Sequence, residues 1–371
     1  MWKIVLPGLA MIAVTYALAR LSFGLFLPDI SHSLGLSESE GGFVGSTAFV
    51  SYSIALFLSS YLIKKLGQHK VTMIAGLTAV VGMLGIATAQ SFLHLVMSIF
   101  VAGIGSGLAS PALSQIAKNT LNKKDLDQGN TWINSGTSFG IILTGPVVLL
   151  FTEHWRLSYL FFAIIAILVL IWNYYSIPST NEQKQVIDQK LDWLSIINKA
   201  KFLLIASIII GMSSSIYWTF SRSYLTTEYN MTPNESVVFW IIMGIAGVLG
   251  GVAGGFIQKI GLRWSYRLLL FLMTVSIFLL TVPANLTVYI SAGLFGSTYI
   301  FLTGLFIVWG TRIFNTLPAL GVSLSFLALG IGQSLGSFFA GKTIEMTTYP
   351  FSFILFAGLG LIGLFVPTDR K

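Results

Sequence analysis

Two arginines interrupt otherwise apolar stretches of this chain. Arg20 stands between the runs Ile4–Ala19 and Leu21–Leu27, and Arg222 lies in the apolar segment 202–226. A guanidinium keeps its proton at any physiological pH. Placing one at mid-bilayer costs roughly 2.5–3.5 kcal/mol on insertion scales. None of the 13 acidic residues lies deep in an apolar run, so no buried carboxylate partner is evident. Two such cations attract anions, and their planar forks of N–H donors suit bidentate contact with carboxylate or phosphate. The pattern points to a clamp in which Arg20 and Arg222 hold a small anion, zwitterions included. Two structural roles compete. With each arginine about six to eight residues before the end of its run, its stem can carry the charge to the surface, or it can pair with Asp29 or Glu228 as a gate.

Polar and aromatic residues surround these positions. Tyr16 precedes Arg20 by four residues, and Tyr217 and Trp218 precede Arg222 by five and four, about one helical turn. Their hydroxyls can bond a substrate, and Trp218 can stack on a ring or a guanidinium. Tyr52, Gln115, Asn134, Ser138, Tyr299 and Gln333 are further substrate-binding candidates, each weighed against plain helix packing. Trp240 and Trp309 read as interface anchors.

The elements that position these residues follow from composition. Of 371 residues, 55% are hydrophobic and 9% charged, and the mean hydropathy is +0.83. Soluble domains carry roughly a quarter charged residues, so lipid must be the solvent for much of this chain. At about 20 residues per crossing, twelve helices fit with short loops. Spans are expected near 4–28, 42–63, 71–89, 93–117, 130–151, 157–175, 202–226, 236–257, 265–282, 286–309, 317–341 and 350–366. Continuous apolar runs exclude barrel strands, which alternate. The apolar start reads as a retained first helix, because no small-x-small site precedes polar sequence.

Charge sets the expected orientation. Most of the 21 lysines and arginines fall on the side of both termini, whereas Arg156 and Lys342 fall opposite, with Asp29, Glu38, Glu40, Glu153, Glu228, Glu235 and Glu345. The positive-inside rule then places both termini in the cytoplasm of a bacterial inner membrane. The net charge of +8 is scattered over loops, which argues against nucleic acid as partner. The expected partners are the bilayer and a small-molecule anion, with the chain a monomer.

Self-comparison shows an internal repeat. Tyr61–Gly67 aligns with Gly255–Gly261, and Tyr159–Ala163 with Phe353–Ala357, both at an offset of 194; Gly136–Gly140 aligns with Gly332–Gly336 at 196. The expected fold is an all-α membrane protein of twelve transmembrane helices in two six-helix bundles related by a pseudo-two-fold axis. The bundles span 1–177 and 202–371, and the polar segment 178–201 is a cytoplasmic linker with an amphipathic helix.

On these features the chain resembles the major facilitator superfamily along its whole length. Leu62, Lys65 and Gly67 match the family's loop motif between helices 2 and 3, and Gly254, Lys259 and Gly261 match it in the second half. Lys64 and Gln258 replace its acid, and Ile99 stands where its helix-4 arginine would fall. Gly140 and the pair Gly145–Pro146 resemble the antiporter motif, which implies a gating role for that pair alongside Asp29. The stretch Ala19–Pro28 is similar to bacterial members of the YbfB/YjiJ type. The resemblance implies a cavity lined by helices 1, 2, 4, 5, 7, 8, 10 and 11, with 3, 6, 9 and 12 outside.

No cysteine is present, and His32, His69, His94 and His154 sit in loops or at helix ends. No metal site, cofactor fingerprint or catalytic motif appears, so no cofactor and no enzymatic activity are expected. The expected function is movement of a small anion across the membrane by alternating access, by exchange or facilitated diffusion. The alternative is a proton-driven drug or metabolite exporter, with Asp29 the nearest acid to the cavity.

Overall fold

A computed structural model describes residues 1–151, 154–178, 192–249, 257, 259–315 and 317–368. Among the described residues there is no strand, and twelve apolar helices follow one another. They are α1 (Trp2–Leu34), α2 (Glu38–Leu66), α3 (Gln68–Ala87), α4 (Phe92–Thr120), α5 (Lys123–Leu150) and α6 (Trp155–Ser176). The second set is α7 (Trp193–Glu228), α8 (Pro233–Val248), α9 (Leu262–Leu279), α10 (Asn285–Ile313), α11 (Pro318–Met346) and α12 (Tyr349–Phe365). Ten are long and apolar enough to cross a membrane; α8 and α12 are shorter. Residues 250–256 of the expected span 236–257, and residues 179–191 of the expected linker, lie outside the described residues.

The helices pack as two equivalent halves. In the first, α1 packs on α5, α2 and α3 on α4, and α3 on α6. In the second, α7 packs on α11, α8 and α9 on α10, and α9 on α12, the same scheme six helices on. The halves meet through α2 with α11, α5 with α8, and the second part of α1 with α7. Helices α3, α6, α9 and α12 make their principal contacts within their own half. On α6, Leu160, Ile164, Leu168 and Ile171 are exposed, as lipid-facing residues must be.

Local stereochemistry repeats at the offset read from sequence. Gly67, between α2 and α3, has φ 83° and Gly261, opening α9, has φ 84°. A side chain there would clash with its own carbonyl, which leaves the positions to glycine. Ser37 with Glu40 and Thr232 with Glu235 form reciprocal capping boxes at the starts of α2 and α8, where each satisfies two orphan N–H groups. Gly35 and Asn230 follow the ends of α1 and α7 with positive φ. The N–H of Leu36 reaches back to Ser31 O (3.1 Å), and that of Met231 to Leu225 O (3.1 Å).

Two boundaries differ from expectation. α1 runs through Pro28 to Leu34 instead of ending near 28, because the left-handed cap at Gly35 supplies its stop signal. α7 begins at Trp193, where Asp192 accepts from the N–H of Ser195. The first turns of α7 therefore take up the last part of the expected linker.

The loops after odd-numbered helices share one face, here the odd-loop face. The termini and the other loops share the opposite, even-loop face.

Candidate functional site

Arg20 sits in a nine-residue π-helical stretch of α1, Ala13–Leu21. Such wider turns interrupt α-helices chiefly where function demands them. Its side chain is 6% exposed. The guanidinium carbon lies 4.7 Å from the Tyr16 ring centre, 4.3 Å from that of Tyr52 and 5.5 Å from that of Phe49. Cation–π contacts of this kind contribute about 0.5–2 kcal/mol each. They shield the charge, but they do not accept the in-plane N–H groups. Nε and Nη1 are buried and have no acceptor. Leaving donors of a charged group unsatisfied costs more than about 1–3 kcal/mol, so the cage partly offsets the burial without completing it.

The second half closes over this cage. The charge of Arg20 acts on the hydroxyl of Tyr299 in α10 as well as on those of Tyr16 and Tyr52. Gln333 Nε2 in α11 donates to Tyr299 Oη (2.9 Å). The Trp218 ring stands edge-on to that of Tyr299 at 5.1 Å, with its Nε1 buried. Polar groups of α1, α7, α10 and α11 thus gather at mid-bundle with no carboxylate of the described residues among them.

Arg222 is placed differently. It is 2% exposed and its Nη1 contacts Asp29 Oδ2 at 2.5 Å and the carbonyl of Leu25. Its Nε donates to Ser236 Oγ in α8 (3.1 Å). The expectation of two unpaired arginines facing one another therefore does not hold: Arg222 is neutralised by Asp29 and ties α1 to α7 and α8. The repeat explains it. α1 ends at Leu34 and α7 at Glu228, again 194 apart. Arg222 corresponds to position 28 (222 − 194), eight residues beyond Arg20, or about 12 Å along a helix. Arg20 is correspondingly 14 residues from the end of α1 (34 − 20), too far to reach the surface.

The remaining candidates divide. Tyr16, Tyr52, Trp218, Tyr299 and Gln333 gather around Arg20. Asn134 joins from the even-loop side, accepting from Ser110 Oγ (3.4 Å), whose hydroxyl also interacts with Tyr16. Tyr217 does not join: its hydroxyl bonds Ser291 Oγ (2.7 Å) and its ring stacks on Phe295 at 3.8 Å, inside the second half. Gln115 is turned to Asn119, which donates to Gln68 (3.1 Å) at the even-loop end. Ser138 is 2% exposed and packs against Gly247 where α5 meets α8. Gly145 meets Ile241 and Val237 of α8 at the same seam, and Pro146 lies inside the continuous α5. Phe49 and Ser236 went unremarked in the sequence; Phe49 lies one turn before Tyr52, the spacing that would have found it.

The halves are joined mainly on the odd-loop side. Ser337 Oγ donates to Gly42 O (3.1 Å), and the N–H of Ser39 to Glu345 Oε2 (2.8 Å). A Cβ on Gly24 would fall on the carbonyl of Trp218. Beside the Asp29–Arg222 pair lies a cavity of about 590 Å³ that opens on the odd-loop face.

Twelve apolar helices in two parallel-repeated bundles define a multi-pass membrane protein. The chain belongs to the Major Facilitator Superfamily, whose model matches residues 9–320. It is 24% identical to a probable sulfoacetate transporter, SauU, of Cupriavidus necator over 64% of this chain and 60% of that protein. It is 23% identical to the transcription regulatory protein OpdE of Pseudomonas aeruginosa over 92% and 87%, and to the hexuronate transporter of Bacillus subtilis over 65% and 60%. The chain thus spans about 60% of the length of two of these relatives. A point mutant of the nucleoside transporter NupG superposes with a TM-score of 0.84 at 16% identity, covering 98% of each chain.

Proposed function

We propose that the chain is a secondary transporter that moves a small organic anion across a bacterial inner membrane by alternating access, with Arg20 as the group that binds the anion. The observation that carries this reading is Arg20 itself, a buried cation with two unsatisfied nitrogens in an aromatic cage at the junction of the halves. A charge kept in that state lowers stability, and a ligand that completes its hydrogen bonds repays the cost. The names of the sulfoacetate and hexuronate transporters, both of anionic solutes, support the substrate class.

In this reading the segments 1–177 and 202–371 rock as two bodies. The described contacts join the halves on the odd-loop side; in this reading the Arg20 site opens instead, in the course of rocking, to the face of both termini, which the charge distribution assigns to the cytoplasm. Asp29, Arg222 and the Gly145–Pro146 seam then act in gating. No carboxylate among the described residues stands at Arg20, which favours exchange or protons carried on the substrate over a side-chain relay. The Asp29–Arg222 pair supports a second reading, a proton-driven exporter in which Asp29 takes up the proton.

Counterflow in proteoliposomes tests the assignment. Exchange of labelled sulfoacetate or glucuronate is expected with the native chain and lost with Arg20→Gln. Equal counterflow by Arg20→Gln, or exchange confined to neutral and cationic solutes, overturns it.

A further inference from the structure

The cavity on the odd-loop face is separate from the Arg20 cage. It is lined by Pro28, Asp29, His32, Ser33, His154, Trp155, Arg156, Arg222 and Met231 among others, and has a volume of about 590 Å³. Five of these residues, Asp29, His32, His154, Arg156 and Arg222, carry or accept charge on elements from both halves, and Arg156 sets the electrostatic character. Its Nη1 donates to Ser33 Oγ (3.0 Å) and its Nη2 to the Ala89 carbonyl (2.8 Å), and its carbon lies 4.1 Å from the Trp155 ring centre. These partners fix the guanidinium at the cavity wall but are all uncharged. The ion pair found among the described residues, Asp29 with Arg222, forms the floor. Among the described residues Arg156 therefore has no carboxylate partner, while the second arginine is occupied by an internal carboxylate.

We propose that this cavity is a second anion site, in which Arg156 and the imidazoles of His32 and His154 capture a small carboxylate, sulfonate or sulfate. Asp29 occupies on Arg222 the place that the captured anion would otherwise take. The site is accessible while the halves are sealed below it, so it binds in the state in which the Arg20 cage faces the opposite side. A rigid, partly shielded guanidinium suits this task, because little side-chain entropy is lost when the anion arrives. The size leaves room for an anion of several heavy atoms with part of its hydration shell. The Asp29 carboxylate makes capture weak and reversible, as a site of entry or release requires.

The proposal takes its ligand class from the transporter reading but stands on different residues, so the two fail separately. Titration calorimetry of the purified full-length Arg20→Gln protein with sodium sulfate reads the outer cavity alone, with xylose as the neutral control. Binding of sulfate and not of xylose is expected. Adding Arg156→Gln should weaken it about tenfold or more, as loss of a charge-assisted contact does, whereas Arg156→Lys should retain it within a few-fold. Adding Asp29→Asn should tighten it, because Arg222 is then free for the anion. Absence of sulfate binding in the Arg20→Gln protein, or binding unchanged by Arg156→Gln, overturns the second site. Should Arg156→Gln not fold, weakening by the double change His32→Ala and His154→Ala decides the matter, and unaltered binding there overturns it as well. Loss of counterflow in Arg20→Gln with sulfate binding intact separates the two proposals.

Discussion

Asp29 of α1 neutralises Arg222 of α7, while Arg20, two turns deeper on α1, meets only aromatic rings. One guanidinium is therefore tied between the halves, and the other keeps two buried nitrogens without an acceptor. The difference in depth, set by the 194-residue repeat, separates the two roles.

Arg20 should be a stability cost retained for binding. Arg20→Met removes a buried charge without a counter-ion and fills the cage with apolar volume. It is expected to stabilise the protein by about 1–3 kcal/mol, read as a rise in unfolding temperature in detergent, while anion binding falls at least about tenfold. A lower unfolding temperature would show that the cage already satisfies the charge.

Breaking the latch should act in the other direction. Asp29→Asn leaves Arg222 buried without its anion, and truncating one partner of such a pair costs about 3 kcal/mol or more. The odd-loop side should open more often. The chain has no cysteine, so a single Thr226→Cys reports directly: its labelling by an impermeant maleimide should speed up severalfold with Asp29→Asn. Unchanged labelling would remove Asp29 from gating.

The repeat makes a paired prediction. Gly67→Ala and Gly261→Ala each force an alanine to positive φ and should each cost about 1–2 kcal/mol, by equal shifts in thermal unfolding. Strongly unequal shifts would argue that the two turns are not equivalents.

Tyrosines distinguish cage from core. Tyr217→Phe deletes a buried hydrogen bond to Ser291 and should lower stability by about 1 kcal/mol with KM unchanged. Tyr52→Ala should instead raise KM several-fold, because it removes the ring nearest Arg20. A KM effect of equal size in Tyr217→Phe would return that residue to the site.

The class of fold, the number of spans and the pairing of the halves were determined by the sequence alone. Continuous apolar runs have one solution in lipid, and the offset between matches survives to within one residue in the cap residues Gly67 and Gly261, Glu40 and Glu235. The same sequence held the two arginines, and it named Tyr16, Tyr52, Trp218, Tyr299 and Gln333 near them. Which arginine is free, however, depended on where Asp29 falls once α1 continues through Pro28, and on Ser236 reaching across from α8. Tyr217 and Trp218 are neighbours in sequence, yet one turns into the second half and the other toward Arg20. Hydrophobic periodicity specifies that a helix is buried, whereas the rotation and depth of each helix against its neighbours are set by packing between halves. Those relative placements, not residue type, decided what each polar side chain meets.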